Sequence, residues 1–212
     1  TTTPEALEHK IKRGTETAYT DFAYYFGGTF ENSKNLPSWE KLDGVCGIKI
    51  FMGASTGNLL SATDEEVEAV VANGNRVIAV HAEDEFLMNE NKKTILKDSN
   101  DVGMHCKWRD VNSSLNATKR VVSLAKKHNR HVHVLHITTA EEMDYLRNNK
   151  DTATVEVLPN HLTFHAPDCY EQLGTLAQQN PPIREKHHQD ALWQAINDGT
   201  VDIVASDHAP HT

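Results

Sequence analysis

Two histidines in the sequence occupy equivalent positions, each at the end of a short apolar run. His81 follows Val77–Val80, and His136 follows Val134 and Leu135. Neutral imidazoles that converge from neighbouring strands are common ligands of Zn²⁺. The alternative for each histidine is a structural hydrogen bond, but two equivalent positions in consecutive units make chance a weaker explanation. The 13 histidines in a chain of 212 residues also favour metal chemistry.

A lysine and an aspartate extend this set of reactive side chains. Strand alternation places Lys49 on the face opposite four neighbouring side chains, Cys46, Ile48, Ile50 and Met52. A buried amine must be paired, neutralised or chemically modified, since desolvation disfavours its charge. Asp207 ends an apolar run, where a carboxylate can bind a metal ion and accept a proton. The alternatives are a lysine that extends to solvent and an aspartate that caps a turn.

Other polar residues near these positions fit structural roles better. His131 and His133 have strand parity opposite to that of His136. We therefore expect them on the helix-facing side of the sheet or at the start of the strand, outside the site. Glu83 and Asp84 fit local helix caps.

The elements that must position these residues alternate along the chain. Short β-rich runs predict six strands, 21–27, 45–52, 77–81, 131–137, 153–158 and 201–206. Amphipathic segments between them predict helices, among them 63–72, with Thr63 as N-cap, and 111–127. A further helical pattern covers 185–197, where we expect His187 and His188 at the surface.

This alternation indicates an α/β fold with a parallel sheet. A doubly wound sheet and a (β/α)8 barrel of the TIM type both satisfy it, but the sequence contains no GxGxxG turn and no Walker loop. The candidate site residues lie at the carboxyl ends of several strands, which is where a barrel collects its active site. We therefore predict a barrel, with residues 1–212 forming a single domain that is incomplete at both ends.

Composition restricts the partners and the compartment. The formal charge of −9 disfavours binding to nucleic acid or to an anionic membrane surface. No apolar run approaches the ~18 residues that suggest a transmembrane helix. Three widely separated cysteines without a CxxC pair fit reduced thiols. We expect a cytoplasmic protein with a small-molecule substrate, and we expect it to form a homo-oligomer.

Five segments together resemble the dihydroorotases, in the cyclic-amide branch of the amidohydrolase superfamily: 48–58, 81–84, 136–139, 180–185 and 206–211. The resemblance covers essentially the whole chain. It implies a (β/α)8 barrel, of which this chain covers roughly strands three to eight, with two Zn²⁺ ions in the complete enzyme.

The resemblance also implies a role for each candidate residue. The implied metal ligands are Lys49, His81, His136 and Asp207. Among them, Lys49 matches a lysine that is N-carboxylated and bridges both metals, and Asp207 matches a catalytic proton shuttle. Asn180 and His211 match residues that hold the ring amide and the carboxylate of the substrate.

The implied activity is the reversible conversion of L-dihydroorotate to N-carbamoyl-L-aspartate, a step of de novo pyrimidine biosynthesis. One alternative is a hydantoinase or dihydropyrimidinase, and another is a non-catalytic homologue that serves as an oligomeric scaffold. The HxH metal pair of the family is missing upstream of Lys49. We expect it before Thr1, and we expect a closing C-terminal segment after Thr212, so this piece alone should be inactive.

Overall fold

The structure is a computed structural model that describes residues 1–53, 59–97 and 99–209. The strands are β1 (Tyr24–Gly27), β2 (Val45–Phe51), β3 (Ile78–His81), β4 (Val132–Val134), β5 (Ala153–Val157) and β6 (Ile203–Val204). The helices are α1 (Pro4–Thr17), α2 (Leu36–Trp39), α3 (Asp64–Val71), α4 (Glu85–Ile95), α5 (His105–Trp108), α6 (Val111–Lys127), α7 (Ala140–Arg147), α8 (Pro159–Thr163), α9 (Asp168–Leu173) and α10 (Lys186–Asn197). Short 3₁₀ turns cover Ser33–Asn35, Val102–Met104 and Gly174–Ala177.

The six strands form one parallel sheet in the order β1-β2-β3-β4-β5-β6. All six predicted strands are confirmed, with shorter bounds at most ends. A doubly wound sheet reverses its strand order partway across, whereas a barrel winds in one direction. The sequential order therefore confirms the prediction of a partial (β/α)8 barrel.

The outer face of the sheet packs against the helices. Five strand side chains on this face, Ile48, Ile50, Val80, Val134 and Val155, are completely buried. They share one core with helix side chains that include Val67, Val70, Val121 and Val122. Burying each side chain of this size stabilises the fold by about 1.5–3 kcal/mol, and it fixes which side chains remain for the inner face.

Lateral pairing defines the inner face and corrects one prediction. Lys49 pairs with Ala79, and Ala79 pairs with His133. Paired residues of neighbouring strands point to the same side, so His133 shares the inner face with Lys49. The prediction that His133 lies on the helix side or at the strand start was wrong. The strand β4 ends at Val134 and His136 has a φ of 40°, so the alternation does not continue to His136. His131 lies just before β4 and is exposed.

Helix α3 begins as the sequence predicts. The Thr63 hydroxyl accepts a hydrogen bond from the Glu66 amide, and the Glu66 carboxylate accepts one from the Thr63 amide. This reciprocal capping box satisfies two amides that the helix itself leaves unpaired. Among the described residues, no helix is both long and apolar enough to cross a membrane.

Helix α10 packs on α7 through a histidine that the sequence placed at the surface. His188 is 2% exposed, and its Nδ1 accepts a hydrogen bond from the Ala140 amide at 3.0 Å. That amide lies in the first turn of α7, where backbone donors have no intrahelical acceptor. Burial, together with the neighbouring His187, lowers the pKa of His188 to about 4. The prediction of a surface position is confirmed for His187, which is exposed, and was wrong for His188.

His188 should make the stability of the full-length protein depend on pH. Its pKa is about 4 when folded and 6.5 as a reference, so the unfolded chain binds more protons between these values. Stability is then complete above pH 6.5 and decreases as the pH falls towards 4, by up to about 1.4 kcal/mol per pH unit. His188→Asn keeps an acceptor for Ala140 without a titrating group and should reduce this slope in urea unfolding by the contribution of one histidine. His187→Asn is the matched control, and equal slopes for wild type and His188→Asn would contradict the prediction.

Candidate functional site

A cleft of about 600 Å³ opens where the strands end on the inner face of the sheet. Its walls include five of the six predicted site residues, Lys49, His81, His136, Asn180 and Asp207, together with Tyr25, Phe51 and Glu156. The sixth, His211, lies outside the described residues, as does the motif segment 54–58. Side chains separated by up to 158 positions in sequence therefore share one cavity because parallel strands bring their carboxyl ends together.

The two imidazoles at the strand ends are in direct contact. His81 Nδ1 lies 3.1 Å from His136 Nε2, and both residues are buried. The other nitrogen of His81, Nε2, lies 2.8 Å from a Glu83 carboxylate oxygen. Since an ionised carboxylate only accepts, Nε2 carries the hydrogen and Nδ1 keeps its lone pair. A carboxylate that fixes a histidine in this way is a common support for metal ligands.

The electrostatics of His136 favour its neutral form. Burial lowers the pKa of His136 well below its usual value, and the neighbouring side chains of His81 and Lys49 act in the same direction. Its Nδ1 is buried and has no hydrogen-bond partner in the described part of the chain. Neutral imidazole is the form that binds metal ions, so the pair has the chemistry expected of ligands.

The fit to a metal ion is partial. Two ligand nitrogens on a tetrahedral Zn²⁺ are about 3.3 Å apart, given Zn–N bonds of about 2.0–2.1 Å, and the His81–His136 contact is close to this. Across residues 1–53, 59–97 and 99–209, no three histidine, cysteine, aspartate or glutamate side chains could hold a metal ion together. The imidazole pair fits part of a ligand set, and Lys49 and Asp207 in the same cleft are the groups that could extend it.

Lys49 lies half-buried on the inner face of β2. Its Nζ is 4.5 Å from the centroid of the Phe51 ring. Burial lowers the pKa of Lys49 to about 8, and the negative charges of Asp207 and Glu156 act in the opposite direction. A larger fraction of neutral, nucleophilic amine follows at neutral pH than for a solvated lysine.

Asp207 and His136 both stand in left-handed backbone conformations, with φ angles of 47° and 40°. Such angles cost a residue other than glycine about 1–2 kcal/mol and cluster at functional sites. Asp207 is exposed at the edge of the cleft beyond β6. Partial burial of its carboxyl group raises the pKa, against an opposing effect of Lys49. The fold thus directs both side chains into the cleft at the expense of backbone strain.

Asn180 is exposed in the cleft wall, on a loop that is hydrogen-bonded to residues of α8. His161 Nε2 lies 3.1 Å from the Pro181 carbonyl oxygen, and Asn160 Nδ2 donates a hydrogen bond to Gln179 Oε1 at 2.9 Å. His161 is buried, and burial lowers its pKa to about 4. Asn160 and His161 therefore support the loop that carries Asn180.

Glu83 has a role that sequence reasoning missed. Its neighbour Asp84 caps α4, as expected, by accepting hydrogen bonds from two helix amides. Glu83 itself is completely buried and pairs with the Arg109 guanidinium as well as with His81. Burial would raise the pKa of Glu83, but the hydrogen bond to His81 and the charges of Arg109 and Arg184 hold it at about 2. No local pattern around Arg109 indicated this pairing.

Glu156 is the second residue that sequence reasoning missed. It lines the cleft, and its carboxylate lies 3.1 Å from His133 Nε2. The strand pattern offered one signal for Glu156. Its neighbours Val155 and Val157 point to the outer face of β5, so alternation places Glu156 on the inner face. A charged residue inside a strand of a buried parallel sheet requires a partner.

Removing the Arg109 charge should destabilise the full-length protein strongly. Arg109→Met leaves the Glu83 carboxylate buried without its cation, which costs about 3–5 kcal/mol of unfolding free energy. The control is Lys107→Met, since Lys107 pairs with Glu185 at the surface and should contribute less than about 1 kcal/mol. Urea unfolding measures both, and losses of similar size in the two variants would contradict the assigned role of Arg109.

Comparisons with known proteins agree with this geometry. No protein-family model matches the chain. A dihydroorotase of Methanosarcina acetivorans is 33% identical over 222 residues, covering 100% of this chain and 47% of that protein. An allantoinase of Arabidopsis thaliana is 29% identical over 227 residues, covering 99% of this chain and 44% of that protein. The solved structure of L-hydantoinase (dihydropyrimidinase) from Arthrobacter aurescens superposes with a TM-score of 0.91 at 26% identity, covering 100% of this chain and 48% of that one.

These three relatives are enzymes that are named for cyclic amide substrates, and their similarity extends across 99–100% of this chain. The chain spans about half the length of the relatives it matches. Together with the partial barrel and the residues in its cleft, this similarity shows that the chain is a dihydroorotase-type member of the amidohydrolase superfamily.

Proposed function

We propose that the full-length protein is a zinc-dependent dihydroorotase that interconverts L-dihydroorotate and N-carbamoyl-L-aspartate in de novo pyrimidine biosynthesis. The observation that carries the proposal is the meeting of Lys49, His81, His136 and Asp207 in one cleft. The 33% identity to a dihydroorotase across the whole chain supports the choice of substrate. Three cysteines without disulfide bonds support a cytoplasmic location. A homo-oligomer remains part of the proposal.

The proposed metal ligands are Lys49 in carboxylated form, His81, His136 and Asp207. Bound there, Zn²⁺ would supply Lewis acidity that polarises the ring carbonyl and acidifies water. The contact of Glu83 with His81 supports the ligand role, because it leaves the His81 Nδ1 lone pair free. Carboxylation of Lys49 would replace a buried cation by an anionic ligand, which removes the cost of burying the ammonium group.

Asp207 is the proposed proton carrier. Its position at the open edge of the cleft lets its carboxylate take a proton from the attacking water and deliver it to the departing amide nitrogen. The nitrogen needs this proton because an amide anion is a poor leaving group. Asn180 and His211 are the proposed contacts to the ring amide and the carboxylate of the substrate, and ring closure uses the same groups in reverse.

A second candidate is a hydantoinase or allantoinase type of cyclic amide hydrolase. The TM-score of 0.91 to an L-hydantoinase and the 29% identity to an allantoinase favour it. These candidates share the fold and differ in the ring that the site accepts.

Purified full-length protein should distinguish the candidates by its substrates. We expect hydrolysis of L-dihydroorotate with a kcat/KM at least about 10²-fold above that for hydantoin, dihydrouracil or allantoin, because groups that bind the substrate carboxylate are left unpaired by uncharged rings. Product formation for the four rings at equal protein concentration provides the measurement. A preference for any of the other three rings would replace the proposed substrate with that one.

Asp207→Asn should remove the proton carrier while keeping the size of the side chain. We expect kcat for dihydroorotate to decrease by about 10²- to 10⁴-fold. Asp202→Asn is a matched control on the same segment, since the Asp202 carboxylate accepts from the Val155 amide outside the cleft. Steady-state kinetics of both variants tests the assignment, and a loss of less than tenfold in Asp207→Asn would contradict it.

A further inference from the structure

The backbone changes direction sharply between the end of β4 and His136. Leu135 donates its amide hydrogen to the Val80 carbonyl, so the backbone is still paired with β3 at this residue. The next residue, His136, adopts a φ of 40°. This conformation is unfavourable for a histidine by about 1–2 kcal/mol, so surrounding contacts must hold it.

Glu156 provides those contacts at two consecutive amides. The His136 amide donates to Glu156 Oε1 at 3.2 Å, and the Ile137 amide donates to the Glu156 carbonyl oxygen at 2.8 Å. One residue of β5 therefore satisfies both buried donors of the turn. The side-chain bond is the one that fixes the amide of His136 itself.

The Glu156 carboxylate is in turn fixed from the neighbouring strand. Its Oε2 lies 3.1 Å from His133 Nε2, and His133 Nδ1 lies 2.9 Å from the Thr154 hydroxyl oxygen. His133 and Thr154 are lateral partners on the inner face, where His133 is buried and Thr154 is partly buried. Glu156, at 6% exposure, has little freedom to rotate away from the turn.

The charge of the Glu156 carboxylate also affects titratable groups in the cleft. Burial is the main influence on the pKa values of Lys49, Asp207 and Tyr25, and the negative charge of Glu156 adds a smaller upward effect on each. An electrostatic role in the cleft is therefore the competing explanation for a carboxylate at this position. Reach and charge are separable, because glutamine keeps the reach of glutamate while aspartate keeps its charge.

We propose that Glu156 is a positioning residue that directs the His136 imidazole into the cleft. Its carboxylate accepts a hydrogen bond from the His136 amide and is held in place by its contact with His133. The inference rests on the proposed function in one respect, since it takes His136 to be a metal ligand. In this role Glu156 contacts neither substrate nor metal. The consequence is that metal affinity depends on the reach of the Glu156 side chain and not on its charge.

Binding of Co²⁺ to the metal-free full-length protein tests the inference without any activity measurement. Glu156→Gln retains an oxygen for the His136 amide. Its Co²⁺ affinity should therefore stay within about threefold of the wild-type value, and the absorption spectrum of its Co²⁺ complex should not shift. Glu156→Asp is one methylene too short, so its affinity should fall by about 10- to 100-fold, the range seen when a support of a metal ligand is lost.

Glu40→Asp is the matched control for shortening a buried glutamate. Glu40 is 2% exposed and accepts hydrogen bonds from the Asn75 and Arg76 amides, away from the cleft. This variant should lose unfolding free energy but bind Co²⁺ like wild type.

The outcomes separate the inference from the proposed function. Equal Co²⁺ affinity of wild type, Glu156→Gln and Glu156→Asp would overturn the inference alone, and so would a weaker site in Glu156→Gln than in Glu156→Asp. A wild-type protein that binds no Co²⁺ would overturn the proposed metal site and the inference with it.

Discussion

In a parallel sheet, residues that pair across neighbouring strands point to the same face, and all strands end at the same edge. Here the pairing of Phe51 with His81 and of Lys49 with Ala79 sets the level of β2 against β3. His81 then stands at the edge beside His136, and Lys49 lies one level below on the inner face. A register shift of one residue would turn these side chains towards the helices. The cleft exists because hydrophobic packing on the outer face fixes that register.

Polar groups on the inner face are stabilised by one another rather than by water. Glu83 joins His81 to Arg109, and Glu156 joins the turn at His136 to His133. Each carboxylate is nearly inaccessible to solvent, so its hydrogen-bond partners must offset the cost of burying it. The two candidate ligand histidines are therefore supported from different strands by separate buried carboxylates.

Among the described residues other than glycine, two of the three with a positive φ line the cleft. His136 and Asp207 adopt left-handed backbone angles, two residues after the end of β4 and three residues after the end of β6. A strand that continued straight would direct these side chains alternately in and out. The break in alternation is what allows His133 and His136 to be present on the same side of the sheet, and buried hydrogen bonds such as that to Glu156 compensate for the strain.

Hydrophobic periodicity is local, and it was sufficient to predict the six parallel strands. It also predicted that His81, His136, Lys49 and Asp207 are candidate site residues, because each follows or belongs to an apolar run. Motif similarity added Asn180. The inner-face position of His133 follows only from the folded chain. The same is true of the partners of the two missed carboxylates, because Glu83 pairs with Arg109 and Glu156 accepts a hydrogen bond from the His136 amide. These pairings join residues 20 or 26 positions apart through a strand register and a left-handed turn that no local pattern encodes.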